Sequence, residues 1–379
     1  MTKFKVGYES AAPVVDQRRG AGRLGRALAL LLVLLAGAKS ADRVTPQVSL
    51  QRFEFQEIHM GTRVRIILYA ADEPTAARAS RTAMTRIGRL DLVCSDYRND
   101  SELTRFVEAS GQGPQEIDPD LYQILALSRD WAKRTNGLFD VTMAPVVQLW
   151  RRARRTGQLP DPARLAEARQ LVGIRHLTLE PRQHRRLRRP RAGLTRPGMR
   201  IDFGGIAKGY AAQEALAQLS GLGVSRALVA IGGDISVGQP PPGESGWRVD
   251  VAPLDGAKGK PGLRLSLREA AVSTSGDAMQ AVVIDGIRYS HIVDPRTGVG
   301  LEGQRSVTVV ASLGATADVL ATTLCILGPD RGIALIDQLG KTDRRLAARY
   351  VDTDRQVVSK GWSAHLAASG RPPAAVVTP

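Results

Sequence analysis

The sequence predicts an α+β fold: a single domain of mixed sheets with flanking helices, preceded by a short export segment. The chain has 379 residues, of which 43% are hydrophobic and 24% charged, as in a globular protein with a sizeable core. Helical and strand patterns follow one another without the regular alternation that a parallel α/β sheet requires. No internal repeat is visible in the sequence. These observations favour an α+β domain over a doubly wound sheet.

The start of the chain resembles an export signal. Several arginines precede an apolar run from Ala27 to Ala36, and Ala36-Gly37-Ala38 has the small residues of a cleavage site. The run is short for a membrane span, although an uncleaved anchor is the alternative. We therefore predict that residues 1–45 are signal peptide and linker and that the protein is exported.

The first half of the folded part is predicted from alternation and helix-start signals. Thr62 to Leu68 alternates like a strand, and a helix with small and apolar residues at helical spacing opens at Pro74. A second helix begins at Asp118-Pro119 and ends at Asn136-Gly137, and a third begins at Asp161-Pro162.

The second half begins with a predicted β-hairpin between Ile174 and Arg200. A helix follows Gly204-Gly205, strands and turns dominate from Arg226 to Val310, and two helices occupy Ala315 to Gly340. We predict a folded domain over residues 46–345, followed by a C-terminal strand and a loose tail over residues 346–379.

The charge of the chain is strongly basic, with a formal net charge of +16. Such a balance attracts polyanions, but the arginines are concentrated in two clusters, around residues 151–155 and in the hairpin 182–200. Aromatic residues make up only 4% of the chain, and no nucleic-acid-binding motif accompanies the clusters. We predict no nucleic-acid partner. Solvated basic loops explain the clusters, with contact to acidic head groups at the inner-membrane surface as the alternative.

One segment, Tyr289 to Gly298, combines a strand with a turn and contains a histidine. The strand pattern ends at Asp294-Pro295, where turn chemistry begins, and Tyr289, His291 and Val293 are expected on one face. Histidine titrates near neutrality, so His291 can accept and return a proton. In isolation this segment is better explained as a structural turn.

Two further segments suggest a phosphate or metal site. Asp202 to Tyr210 runs from a strand end through two glycines into a helix whose first turn carries Lys208, an arrangement that can bind phosphate. Asp318 and Thr322 are four residues apart on a predicted helix, so a carboxylate and a hydroxyl share one face and suit a hard cation. Each segment alone also fits ordinary helix-terminus chemistry.

Eight segments considered together carry a family resemblance. In chain order they are Met60-Gly61-Thr62, Ser95-Asp96-Tyr97-Arg98 with Ser101-Glu102-Leu103, Phe139 to Thr142, Asp202 to Tyr210, Gly232-Gly233-Asp234, Ser273 to Asp277, Tyr289 to Gly298 and Asp318 to Thr322. Their order and composition resemble the ApbE family of FAD:protein FMN transferases. The resemblance extends from about Glu57 to about Leu339.

The resemblance implies an activity and a location. Members of that family bind FAD and Mg²⁺, transfer FMN to a Thr or Ser hydroxyl of a target protein as a phosphodiester, and release AMP. Their targets are flavin-carrying subunits of membrane redox complexes, modified in the periplasm or on the outer side of the cytoplasmic membrane. The predicted export segment agrees with that location.

The resemblance also implies roles for individual residues. By position, His291 is the catalytic group, and Asp318, Thr322 and the Gly205 carbonyl are metal ligands. The residues that would line the FAD site are Met60, Tyr97, Leu138, Phe139, Asp140, Asp202, Lys208 and Ile292.

Two alternatives remain open at the level of the sequence. The same site could use water as the acceptor and hydrolyse FAD to FMN and AMP. The protein could instead be an exported flavin-binding protein without catalysis.

Overall fold

The computed structural model describes residues 49–181, 189–254, 263–276 and 280–367. Its α-helices are, in chain order, α1 (Glu73–Cys94), α2 (Glu102–Glu108), α3 (Pro119–Arg134), α4 (Ala144–Thr156), α5 (Pro162–Gln170), α6 (Ala207–Gly221), α7 (Gly314–Leu327) and α8 (Pro329–Leu339). Its strands are β1 (Gln51–His59), β2 (Thr62–Ala70), β3 (Gln115–Glu116), β4 (Leu177–Glu180), β5 (Arg191–Leu194), β6 (Ala227–Ile231), β7 (Asp234–Val237), β8 (Trp247–Val251), β9 (Leu263–Leu267), β10 (Ala270–Gly276), β11 (Ala281–Ile284), β12 (Ile287–Asp294), β13 (Val299–Glu302), β14 (Arg305–Ala311), β15 (Ala347–Asp352) and β16 (Gln356–Val358).

The centre of the fold is an 8-stranded antiparallel sheet in the order β1-β2-β6-β7-β10-β14-β15-β16. Alternate residues of β2 face opposite sides of this sheet, as the pleat requires. Ile66 and Leu68 join the core beneath helices α1, α6 and α7, whereas Ile67 joins a second core with Trp247 of the β8-β9 hairpin. The sheet is therefore buried on both faces, and the predicted α+β class is confirmed.

A smaller three-stranded sheet, β11-β12-β13, carries His291 and is held by helix α4. The indole Nε1 of Trp150 donates a hydrogen bond of 2.8 Å to the Gly298 carbonyl, and its ring lies 5.2 Å from the ring of Tyr289. The β12-β13 register shifts between Tyr289 and Val293. Tyr289 and Val293 pack beside Trp150, while Ile292 enters the main core.

The predicted helix starts are confirmed. The side chains of Asp72, Asp118 and Asp161 each accept a hydrogen bond from a backbone N–H in the first turn, at the starts of α1, α3 and α5. Each is followed within two residues by a proline that is tolerated in the first turn. The predicted hairpin forms as β4 and β5, although its tip, residues 182–188, lies outside the described residues.

The sequence analysis did not predict two elements. Strand β1 precedes the first predicted strand and pairs with β2 along its whole length. Helix α4 was also not predicted, and its Pro145 occupies the first turn, where a proline is tolerated.

The predictions for the two ends of the chain have different outcomes. The predicted export segment lies outside the described residues, and within the part that is described no helix combines the length and apolarity needed to cross a bilayer. Strands β15 and β16 continue the central sheet past residue 345. The predicted boundaries at residues 45 and 345 stay predictions.

Helices α6 and α7 cross with their backbones in contact at two glycines. A Cβ placed on Gly209 would overlap the carbonyl oxygen of Gly314, and a Cβ on Gly314 would overlap the carbonyl oxygen of Gly209. The two backbones therefore touch without intervening side chains.

This contact predicts that Gly209→Ala destabilises the fold by about 1–3 kcal/mol, because the added methyl group also meets Asp318 Cβ at 2.8 Å. Gly221→Ala is the matched control at the far end of the same helix. No atom lies within 4 Å of its added Cβ, so it should be neutral or stabilise by up to about 1 kcal/mol. Urea unfolding of both variants measures the difference; equal stabilities would contradict the close-contact interpretation.

Candidate active site

A single cleft contains the predicted site residues. It has a volume of about 1730 Å³, larger than the roughly 300–1,000 Å³ of most small-molecule pockets, so it can hold an extended ligand. It lies where the β6-β7 turn and the end of β10 meet α6, α7 and β12. The predicted residues that line it are Met60, Tyr97, Leu138, Phe139, Asp140, Asp202, Gly205, Lys208, His291, Ile292, Asp318 and Thr322.

A cluster of one ammonium and two carboxylates lies on the cleft wall where α6 meets α7. Lys208 Nζ is 2.5 Å from Asp234 Oδ2, and the backbone N–H of Gly209 donates to Asp318 Oδ2 at 3.2 Å. Burial, reinforced by the Asp234 carboxylate, raises the pKa of Asp318 above its usual range, although Lys208 opposes that shift. Burial works against the charge of Lys208, but the two carboxylates outweigh it and raise the pKa of Lys208.

The atoms around this cluster suit a hard cation. Asp234 and Asp318 are 3% and 2% exposed, and Asp234 Oδ1 is buried without a hydrogen-bond partner among the described residues. The hydroxyl oxygens of Thr322 and Ser275 are 3.2 Å apart, and a Cβ on Gly205 would lie 3.1 Å from Thr322 Oγ1. Carboxylate, hydroxyl and carbonyl oxygens are the ligands that Mg²⁺ prefers. Within the described ranges no group of three or more His, Cys, Asp or Glu side chains could hold a metal ion. A cation here would therefore depend on hydroxyl and backbone oxygens as well as the carboxylates.

Arg151 of α4 connects two walls of the cleft. Its guanidinium contacts Asp96 at 2.6 Å and Asp202 at 2.8 Å, and its Cζ lies 4.8 Å from the ring centre of Tyr97. Asp202 also accepts a 2.7 Å hydrogen bond from the Gly204 N–H. Tyr97 is itself 77% exposed, so Arg151 supports the inner face of its ring while the remainder stays accessible to a ligand.

Met60 reaches the cleft because of an unusual turn. Met60 and Gly61 connect β1 to β2 with positive φ angles of 51° and 69°, which is the geometry of a tight two-residue hairpin. This backbone conformation is uncommon for a residue with a side chain. The Asp91 carboxylate accepts the Met60 N–H at 3.0 Å and holds the turn against α1.

Asp140 lines the cleft, but its carboxylate is engaged in holding the chain. Oδ1 accepts from the Thr142 N–H and hydroxyl at 2.8 and 2.7 Å, and Oδ2 accepts from the Ile174 N–H at 2.9 Å. Burial raises the pKa of Asp140, while these hydrogen bonds oppose the shift. The neighbouring Phe139 is buried, with ring atom Cε2 3.5 Å from the position of a Cβ on Gly205.

His291 is held at the cleft by its strand and by the turn that follows. Its backbone N–H donates to the Gln280 carbonyl at 3.0 Å. In the turn, Asp294 accepts from the Arg296 N–H at 2.8 Å and contacts its guanidinium at 2.6 Å, and the Gly298 N–H donates to the Asp294 carbonyl at 2.7 Å. Burial would raise the pKa of Asp294, but its hydrogen bonds with Arg296 lower it overall. The turn is thus stabilised by an ion pair and by backbone hydrogen bonds, and it supports the strand.

Two residues of the site were missed by the sequence analysis. Asp234 stood inside the Gly232-Gly233-Asp234 segment, but nothing local indicated that it would pair with Lys208. Arg151 belonged to a cluster interpreted as solvated, and its partners are distant along the chain. The assigned roles of the predicted residues stay predictions, although the structure brings all of them to one cleft.

Comparison with known proteins agrees with the geometry. The sequence model of the ApbE family matches residues 60–346. The chain is 28% identical over 350 residues to the FAD:protein FMN transferase of Treponema pallidum, covering 87% of this chain and 92% of that protein. It is 31% identical over 325 residues to the FAD:protein FMN transferase of Vibrio cholerae, covering 82% and 89%. The crystal structure of Pseudomonas stutzeri flavinyl transferase ApbE, in its apo form, matches with a TM-score of 0.71 and 27% identity over 85% of this chain and 98% of that one.

The fold is similar to that of a solved flavin transferase, and the relatives identify the chain as a transferase. The chain belongs to the ApbE family. The family resemblance stated from the sequence is therefore confirmed.

The Arg151 contacts predict a pH-dependent loss of stability in Arg151→Met. Asp96 already has a raised pKa because of burial and the nearby Asp202 charge, and Arg151 opposes that shift. Without the guanidinium, the pKa of Asp96 in the folded protein rises further above its value in the unfolded chain. Stability is therefore lost as the pH rises above the unfolded-state pKa, because the carboxylate ionises more readily in the unfolded chain. We expect Arg151→Met to lower the free energy of unfolding by about 2 kcal/mol at pH 7.5 and by less at pH 4.5.

Thermal and urea unfolding at both pH values measure this loss. Arg155→Met, at an exposed position on the same helix, is the control and should change stability little at either pH. A loss for Arg151→Met that is the same at both pH values would contradict the electrostatic explanation.

Proposed function

We propose that this protein transfers FMN from FAD to a Thr or Ser hydroxyl of a target protein, forming a phosphodiester and releasing AMP, with Mg²⁺ bound at the site. One observation carries the proposal: the residues to which the family resemblance assigns flavin, metal and base roles all line one cleft. Family membership supports it, because relatives such as that of Treponema pallidum are FAD:protein FMN transferases.

The cleft offers complementary surfaces for the two ends of FAD. Tyr97, backed by Arg151, presents an exposed aromatic ring for stacking, and Met60 adds a polarizable side chain beside it. The Gly204-Gly205 corner lines the cleft and would let a ligand approach the backbone closely, and Lys208 supplies a positive charge at the start of α6.

Asp318, Thr322 and the Gly205 carbonyl are the proposed Mg²⁺ ligands, with Asp234 beside them. A bound Mg²⁺ would neutralise charge on the phosphate oxygens. The geometry supports this assignment, because two buried carboxylates with a single ammonium partner are short of positive charge.

His291 is the proposed general base. The target hydroxyl loses its proton to the imidazole as its oxygen attacks the phosphorus of the FMN half, and the bond from that phosphorus to the oxygen of AMP breaks. The strand and the bonded turn that hold His291 at the cleft support this role, since a base must be fixed within reach of the hydroxyl.

The proposed target is a flavin-carrying subunit of a membrane redox complex, modified on the outer side of the cytoplasmic membrane. The predicted export segment supports this location. Surface arginines such as Arg152 and Arg155, which are exposed on α4, would favour contact with acidic head groups at that membrane.

The decisive experiment mixes the protein with FAD, Mg²⁺ and a candidate acceptor domain, and then scans a denaturing gel for covalent flavin fluorescence. We expect a fluorescent acceptor band and release of AMP. His291→Gln should lower the transfer rate by roughly 100-fold or more while FAD binding stays within a few fold. His176→Gln is the control, since that side chain contacts Thr195 and does not line the cleft.

Three outcomes would contradict the proposal. Free FMN and AMP without a fluorescent band would indicate a hydrolase. Intact FAD after long incubation would indicate a binding protein. Full activity of His291→Gln would remove that residue from the mechanism.

Removing one metal ligand tests the proposed Mg²⁺ site. Asp318→Asn should reduce Mg²⁺-dependent transfer by roughly 100-fold and abolish the rise in melting temperature that Mg²⁺ gives the unaltered protein. Asp330→Asn, at an exposed position on α8, is the matched control. An undiminished Mg²⁺ response in Asp318→Asn would place the metal elsewhere.

A further inference from the structure

Arg154 differs from the other cationic side chains of the cleft. Every other Lys or Arg that lines it has an acidic partner within the described residues: Arg98 with Asp100, Arg151 with Asp96 and Asp202, Lys208 with Asp234, Arg248 with Glu244, and Arg264 with Asp250. Arg154 has no acidic partner among the described residues. Its guanidinium donates instead to the neutral side chain of Gln280, from Nη1 to Oε1 at 3.2 Å.

The surroundings of Arg154 are unfavourable for an uncompensated cation. The side chain is partly buried, and Arg151 lies one helical turn away on the same side of α4. Burial, together with the Arg151 charge, lowers the pKa of Arg154. A guanidinium stays charged in proteins, so an anion bound in the cleft would offset the cost of placing it here.

The position of Arg154 indicates which anion that is. The side chain of Gln280 contacts the guanidinium, and the backbone carbonyl of Gln280 accepts a hydrogen bond from the backbone N–H of His291 at 3.0 Å. Arg154 therefore lies beside the strand that carries the proposed base. In the proposed reaction the group nearest that base is the phosphate of the FMN half of FAD, because the attacking hydroxyl must reach both.

We propose that Arg154 binds an oxygen of the FMN-side phosphate of FAD and so selects phosphorylated flavins over riboflavin. The proposal rests on the proposed function and adds a residue to its substrate site. Guanidinium groups bind phosphate through a planar fork of N–H donors, and such charge-assisted hydrogen bonds are among the strong ones in proteins. Lys208 is less suited to this task, because Asp234 already engages its ammonium.

The test compares dissociation constants for FAD, FMN, riboflavin and AMP, measured by calorimetry on the full-length protein with Mg²⁺ present. Arg154→Gln should weaken FAD and FMN by about 10–100-fold and leave riboflavin and AMP within about twofold. Arg154→Lys keeps the charge without the fork and should fall between. Arg155→Gln, at an exposed position one residue along α4, should bind all four ligands like the unaltered protein.

Each remaining outcome has a definite meaning. Unchanged FMN affinity in Arg154→Gln, an equal loss for riboflavin, or a loss for AMP alone would overturn the assignment. Melting temperatures establish that the variants fold, and Arg154→Lys keeps the test valid if Arg154→Gln does not. If the unaltered protein does not bind FAD, the proposed function itself fails; if it binds FAD and Arg154→Gln binds it equally well, only the Arg154 assignment fails.

Discussion

The contact between the backbones of Gly209 and Gly314 is the constraint on which the site depends. Because neither residue has a side chain, α6 and α7 approach closely enough for the Gly209 N–H to reach the Asp318 carboxylate. Lys208 precedes one glycine, and Asp318 lies one turn after the other, so the crossing sets an ammonium beside a buried carboxylate. The close contact between the two helices therefore determines where the side chains of Lys208 and Asp318 lie.

Helix α4 has a comparable organising role on the other side of the cleft. Two neighbouring residues divide the work: Trp150 holds the strand pair that carries His291, and Arg151 holds Tyr97 and Asp202. The aromatic wall and the proposed base are thus fixed by one rigid element. Their relative position depends on an indole hydrogen bond and a pair of ion pairs, which are directional and leave little freedom for either wall to shift alone.

Local signals predicted much of the fold, and the family resemblance of eight ordered segments predicted most of the site. Aspartates before prolines fixed the starts of α3 and α5, because capping and φ restriction act within a few residues. The segments around His291 and Asp318 were assigned to the site only through the family resemblance, because each alone also fits an ordinary turn or helix; both lie at the cleft. The roles of Arg151 and Asp234 could not be predicted, because their ion-pair partners are distant in sequence and are brought close only by the tertiary fold. Helix α4 itself was missed because a proline in a first turn and a proline that ends a segment look alike in sequence.

Strand β15 has a practical consequence for anyone who expresses this protein in shortened form. The family match ends at residue 346, immediately before β15 begins. A shortened protein designed from that match would therefore end before β15. Yet Ala347, Ala348 and Tyr350 are buried, and β15 pairs with β14 over most of its length. Cutting at the boundary would leave β14 as a bare apolar edge, the kind of surface that recruits other chains and drives aggregation. A soluble recombinant form should therefore extend at least through the last described strand, β16.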